Sequence, residues 1–223
     1  MKTIAELEKM ASEYKMESKL KKAIEIYEEI LKRDIDNIAA RMSLANLYYL
    51  VGKIKKSIVE YEKVLRLKPH YSYAYYRLGV AHYRAAHFAK AIKIFKKLTK
   101  LDTDLYMAHN WLGLCYYHIG KDDESIAEYS KLLDISCEPS IVSYHRAIAY
   151  KAKRQYDKAI EAFKRLIDEN PDHVAAHYHL GLSYMGNHEM FKALQTFRKV
   201  LKMNPGHKKA LQKVELLANV PDI

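Results

Sequence analysis

Apolar residues recur along this chain with two periods at once. Within short stretches they fall three or four residues apart, as in Ala91, Phe95 and Leu98 or Ala193, Phe197 and Val200, with lysines and glutamates between them. That spacing places one apolar stripe on an α-helix. Over longer distances the whole pattern returns after 34 residues, and the copies run 4–37, 38–71, 72–105, 106–139, 140–173 and 174–207 without insertion or deletion. A fixed period of this size means one supersecondary unit used repeatedly.

Each copy predicts a pair of helices. The first carries a cluster such as Leu78, Gly79 and His82 or Leu112, Gly113 and Tyr116, and the second follows after a short polar break. Gly52 and Gly120 stand between paired helices, where a residue without Cβ takes the positive φ that ends a helix. Pro69, Pro171 and Pro205 stand between copies and stop the preceding helix. Gly79, Gly113 and Gly181, with Ala45 and Ala147 in register, let helix backbones approach closely, as do Ala23, Ala91, Ala159 and Ala193. The stretch from Lys208 to Asn219 repeats the first-helix register through Leu211, Val214 and Leu217, with Lys208, Lys209, Gln212 and Lys213 on its other side, before Pro221. It predicts a helix that caps the last apolar face. The first copy, with no neighbour on its outer side, is expected to be the weakest.

The copies resemble tetratricopeptide repeats over residues 4–207. In the fourth, Leu112, Gly113, Tyr116, Gly120 and Tyr129 match the family pattern, and in the sixth Leu180, Gly181, Tyr184, Ala193, Phe197 and Pro205 do. Departures are local: Met10 and Ala11 replace the Leu-Gly pair in the first copy, Arg146 takes the leucine site of the fifth, and Ser57 and Ser125 replace the packing alanine. The resemblance implies an all-α fold: a right-handed α-solenoid of six helix-turn-helix units plus a C-terminal capping helix, one domain over residues 1–223. It also implies a concave groove lined by the first helices, faced by sites two, five, six, nine, twelve and thirteen of each unit.

At those sites the second unit holds Met42, Ser43, Asn46 and Tyr49, and the third Tyr73, Tyr76, Arg77, Val80, Tyr83 and Arg84. The fourth holds Met107, Asn110, Trp111, Leu114, Tyr117 and His118, the fifth Ile141, Tyr144, His145 and Ile148, and the sixth Tyr178, His179, Leu182 and Met185. Tyrosine at the fifth and twelfth sites is common in the repeat and says little. The ninth site says more, because Val80, Leu114, Ile148 and Leu182 are apolar where many family members carry asparagine. Such a groove suits a peptide or helix with hydrophobic anchors. The family's carboxylate clamp for acidic chaperone tails is not matched: its places hold Glu8, Ser12, Ser43, Tyr73 and Arg77, and only Arg77 fits.

Composition adjusts this picture little. With 223 residues, 49% hydrophobic and 29% charged, the chain can bury a substantial core, and seven glycines and five prolines leave little for turn-rich β structure. The net charge of +11 is spread at helix-surface spacing rather than in a basic tail. Lys90, Lys93, Lys96, Lys97 and Lys100, for example, surround the stripe Ala91, Ile92, Phe95 and Leu98, so a solvated outer face explains them better than nucleic acid does. The opening MKTIAELEKMASEYK reads as a helix rather than a secretory signal, and no stretch approaches the roughly 18 apolar residues of a membrane span. Cys115 and Cys137 have no CxxC spacing, which points to free thiols and a cytoplasmic protein.

Candidate chemistry is sparse. No phosphate-binding loop, dinucleotide fingerprint, nucleophile elbow or HExxH occurs, so no catalytic residue and no cofactor are expected. His173, His177 and His179 cluster in sequence, with His207 one repeat later, yet His177 and His179 face different sides of one helix, against a metal site. His145 and His179 fit pH-sensitive partner contacts better. The leading expectation is an adaptor that binds a protein or peptide through Tyr73, Tyr76, Val80, Met107, Trp111, Leu114 and Tyr144, with Arg77 and Arg84 pairing to flanking acids. Two alternatives stay open: a homo-oligomer built by head-to-tail groove contacts, and a basic repeat protein that binds RNA or an anionic surface.

Overall fold

The computed structural model describes residues 2–103, 105–132 and 140–219. Among them the regular structure is helical throughout. The first helices of successive pairs are α1 (Ile4–Met16), α3 (Ile38–Leu50), α5 (Ser72–Arg84), α7 (Met107–His118), α9 (Ser140–Ala152) and α11 (Val174–Gly186). Their second helices are α2 (Leu20–Arg33), α4 (Ile54–Leu67), α6 (Phe88–Leu101), α8 (Asp122–Ser130), α10 (Tyr156–Glu169) and α12 (Met190–Met203), and α13 (Lys208–Ala218) follows alone. The chain divides into two compact units, Met1–Cys115 and Tyr116–Ile223, with the division inside α7. The expectations for Cys137 and Pro221 lie outside the described residues. No described helix is long and apolar enough to cross a membrane.

The turn inside each pair is one geometry used six times. Ser18, Gly52, Ala86, Gly120, Arg154 and His188 stand 34 residues apart, and all have φ between 57° and 78°. After each of them the next N–H donates to the carbonyl five residues back: Lys19 to Tyr14, Lys53 to Tyr48, His87 to His82, Lys121 to Tyr116, Gln155 to Tyr150 and Glu189 to Tyr184, at 2.8–2.9 Å. This bond satisfies a helix-end carbonyl and holds the left-handed residue in place. Only two of the six positions are glycine; the other four bear the Cβ crowding of that conformation.

First helices begin with side-chain caps where the sequence supplies them. Thr3 and Glu6 form a reciprocal capping box on α1, and Asn37 Oδ1 accepts from Ala40 N–H at 2.8 Å. His173 and His207 do the same through Nδ1, accepting from Ala176 and Ala210 N–H at 3.2 and 3.1 Å.

Each pair is held by an aromatic ring on its second helix. Tyr27, Tyr61, Phe95, Tyr129, Phe163 and Phe197 recur every 34 residues, and all are buried. Within the two units the matching site of the first helix holds Ala11, Ala45, Gly79, Ala147 and Gly181, small enough to let the rings of Tyr27, Tyr61, Phe95, Phe163 and Phe197 lie close to the backbone. In the first unit the core joins Leu7, Ile30 and Leu44, then Ile58, Val64 and Leu78. In the second it joins Ile160, Leu166, Leu180, Leu194 and Val200. Ser57 and Ser125 are fully buried at the alanine site, and Arg146 is buried at the leucine site.

The last helix differs from expectation in one respect. On α13 the buried residues are Ala210 and Leu217, with Val214 half-buried, whereas Leu211 is 45% exposed. The equivalent site in the second pair, Arg41, is covered by its own second helix through Glu60, and α13 has no such companion among the described residues.

Candidate functional site

In the first unit the side chains of α3, α5 and α7 converge on two centres. The first is Tyr49, whose ring meets two cations: the guanidinium carbons of Arg77 and Arg84 lie 5.0 and 4.8 Å from its centroid. Arg84 also donates to the Tyr49 carbonyl at 3.2 Å. Arg77 Nε donates to the Tyr61 hydroxyl at 3.2 Å, which in turn donates to Asn46 Oδ1 at 2.6 Å. Burial raises the Tyr61 phenol above its ordinary pKa, so it stays a donor. The expected acid-pairing arginines therefore already hold a tyrosine platform, and Arg84 remains solvent-exposed.

The second centre is Trp111. Its ring stacks on Phe95 at 6.1 Å with 6° between planes, meets Tyr83 edge-on at 5.0 Å, and its Nε1–H donates to the Tyr76 hydroxyl at 3.2 Å. Tyr83 reaches back to Phe88 at 5.5 Å. Beside this cluster opens a cleft of about 310 Å³ lined by Ser72, Tyr73, Tyr76, Asp102, Leu105 and Met107. Tyr73, 46% exposed, stands at its rim.

Not every expected contact is on the surface. Met42, Val80 and Asn110 are buried in this unit, and Met42 packs into the core with Ile58 and Leu78. Asn110 Oδ1 has no hydrogen-bond partner among the described residues. Of the ninth-site ladder, Val80 and Ile148 are buried while Leu114 and Leu182 are half-buried. At two of the four positions the apolar side chain is therefore packed inside rather than presented at the surface.

In the second unit the rings of Tyr144, Phe163, His173 and His179 lie together. Tyr144 stacks on His173 at 5.4 Å and meets His179 edge-on at 5.9 Å, while His179 stacks on Phe163 at 5.9 Å. Tyr178 packs against Phe197 at 5.8 Å and against His207 at 4.8 Å. Tyr117, Tyr144, Tyr178, Leu182 and Met185 border the core here, and Ile148 is inside it. Burial, aided by Lys151 and Lys209, lowers His179 to about 4. Burial, with His118 adding to it, lowers His145 as well. His145 stacks on Tyr129 at 6.2 Å, and its buried Nδ1 has no hydrogen-bond partner among the described residues.

Lys151 was missing from the expected set. It occupies the twelfth site of α9, and its ammonium lies 3.1 Å from His179 Nδ1. Its sequence signal is its place in the repeat, the site where the second, third and fourth units carry Tyr49, Tyr83 and Tyr117. Among the described residues no three His, Cys, Asp or Glu side chains form a metal-holding group. Cys115 is a free, buried thiol that burial pushes up to about 12, which leaves it protonated and unreactive at neutral pH.

The fold has many relatives among solved structures. The C-terminal part of a tetratricopeptide repeat-containing protein from Cytophaga hutchinsonii aligns with a TM-score of 0.78 at 16% identity, over 94% of this chain and 84% of that one. YrrB, described as a tetratricopeptide protein with an unusual peptide-binding site, aligns at 0.71 and 18% identity, over 85% and 97%. MamA from Desulfovibrio magneticus RS-1, from residue 41 onward, aligns at 0.72 and 19%, over 76% and 96%. At these identities the likeness is one of fold. No curated protein matches the sequence. A family profile described as tetratricopeptide repeat matches residues 76–136 and 144–208, and a second, described as TPR repeat, matches residues 45–85. The first of these alone spans more than half of the sequence, and with the recurring helix pairs it places the chain in the tetratricopeptide repeat family.

Proposed function

We propose that this chain is a non-catalytic adaptor whose first-helix face takes a segment of a partner protein on apolar and aromatic anchors. Tetratricopeptide repeats serve in general as protein–protein interaction scaffolds. The observation that carries the finer reading is the cleft between α5 and α7, where Tyr73, Tyr76, Leu105 and Met107 present an apolar lining beside a rigid aromatic cluster. A preordered receptor loses little entropy on binding, and aromatic anchors in a desolvated pocket dominate affinity. YrrB, similar in fold, is described as binding peptide, which agrees with this use of the face. The free Cys115 fits a reducing compartment such as the cytoplasm.

The experiment is affinity capture from source lysate with the intact chain and with a Tyr73→Ser/Met107→Ser variant. Both residues retain solvent exposure, so the variant is expected to unfold at nearly the same temperature as the parent. Loss of a discrete captured protein supports the cleft. Equal capture by both chains rejects it.

A further inference from the structure

Among the described residues, the second unit holds a cation with no carboxylate beside it. Lys151 meets no carboxylate among the described residues; its polar neighbour there is the imidazole of His179. An ammonium can only donate, so His179 Nδ1 is the acceptor and Nε2 carries the ring proton. The acceptor capacity of this pair is therefore used up within the pair. What remains is a set of donors, the other ammonium N–H groups and His179 Nε2–H, held among the rings of Tyr144, Phe163 and Tyr178.

The surroundings reinforce the sign. Sites two, five, six, nine, twelve and thirteen of α9, α11 and α13 carry no Asp or Glu, and α13 adds Lys209 and Lys213 there. Lys209 lies close enough to act electrostatically on His179. Burial holds Lys151 below its ordinary pKa, so its charge is kept at a cost that an arriving anion would offset.

Resting on the adaptor reading above, we infer that Lys151 and His179 form a carboxylate-binding subsite that takes an Asp or Glu side chain of the bound partner segment. A carboxylate is acceptor-only and matches a donor-only site. A side chain fits better than a chain terminus, because apolar surface borders the pair on both sides. Tyr117 and Tyr144, on α7 and α9, and Tyr178, Leu182 and Met185, on α11, all border the same core, which suits a segment that continues past the charge.

The test uses random dodecapeptides displayed on phage and selected on the full chain, on Lys151→Met and on Lys151→Glu. Methionine keeps the apolar stem without the charge, and its thermal unfolding serves as the fold control. The wild type is expected to select an Asp or Glu at a fixed offset from aromatic or aliphatic anchors, and Lys151→Glu the same anchors with Lys or Arg at that offset. In a synthetic, C-terminally amidated winner, replacing the acid by its amide should weaken wild-type binding about tenfold and leave Lys151→Met binding unchanged.

Selection of apolar peptides without a fixed acid, or the same acid selected by Lys151→Glu, rejects the subsite and leaves the adaptor reading intact. Loss of binding on C-terminal amidation alone rejects the side-chain assignment in favour of a chain terminus. If the wild type selects no peptide, both the subsite and the adaptor reading fall.

Discussion

A Cβ placed on Gly79 would stand 2.5 Å from Cε1 of Phe95. Real Cβ contacts do not come so close, so Gly79→Ala must push the ring or separate α5 from α6. Overpacking of this kind costs about 1–3 kcal/mol. Gly181→Ala, with its Cβ 2.7 Å from Phe197, should cost a similar amount. Denaturant titration checks both, and the double variant Gly79→Ala/Phe95→Leu should lose less than the sum of the singles, because the smaller side chain removes the clash.

The left-handed turns predict gains. At Ala86 and His188, with φ of 57° and 61°, substitution by glycine relieves Cβ crowding and should stabilise the chain by about 0.5–1 kcal/mol despite the added freedom of the unfolded state. Gly52→Ala, at φ 78°, should lose about 1 kcal/mol. Shifts in the midpoint of chemical unfolding report each; a loss at Ala86→Gly would contradict the account.

Acid should destabilise the protein through two histidines. Burial, with help from His87 and Lys90, lowers His82 to about 4, and His179 is lowered to about 4 as described. Between pH 6.5 and 4 the unfolded chain binds protons at these sites that the folded chain refuses, so stability rises with pH across this window. It is fully present above about 6.5, declines as the pH falls toward 4, and levels off below. Melting temperature against pH measures the slope. His82→Gln and His179→Gln should each flatten part of it.

Trp111 and Tyr73 should behave differently although both face the proposed partner. Trp111→Ala removes a ring stacked on Phe95 and hydrogen-bonded to Tyr76, and for a half-buried ring should cost about 2–3 kcal/mol of stability as well as binding. Tyr73→Ser, at the exposed rim, should weaken binding with little change in unfolding temperature. Calorimetric melting beside a peptide-binding assay separates the two effects.

The helix pairs were legible because a 34-residue repeat of apolar spacing is written directly in the sequence. The turns were legible only at Gly52 and Gly120; Ser18, Ala86, Arg154 and His188 adopt the same φ because the flanking helices and the backbone bond impose it. Helical spacing fixes which face a side chain is on but not how far the next helix covers it. Hence Val80, Met42 and Ile148, expected at the partner face, are buried, while Leu211, expected to pack inward, is exposed. Lys151 was hidden for another reason: its meaning comes from His179, 28 residues away and on another pair.

The six matching turns carry a consequence for length. Since every joint between paired helices has the same backbone conformation and the same closing bond whatever residue occupies it, one pair can be exchanged for another without altering how the chain leaves the first helix or enters the second. Insertions or deletions of whole 34-residue periods should preserve helix register, whereas a change of one or two residues inside a helix would rotate the rest of that helix's apolar stripe away from its neighbour. The chain is thus modular: whole periods are the increments of length that leave every turn and every stripe as they are.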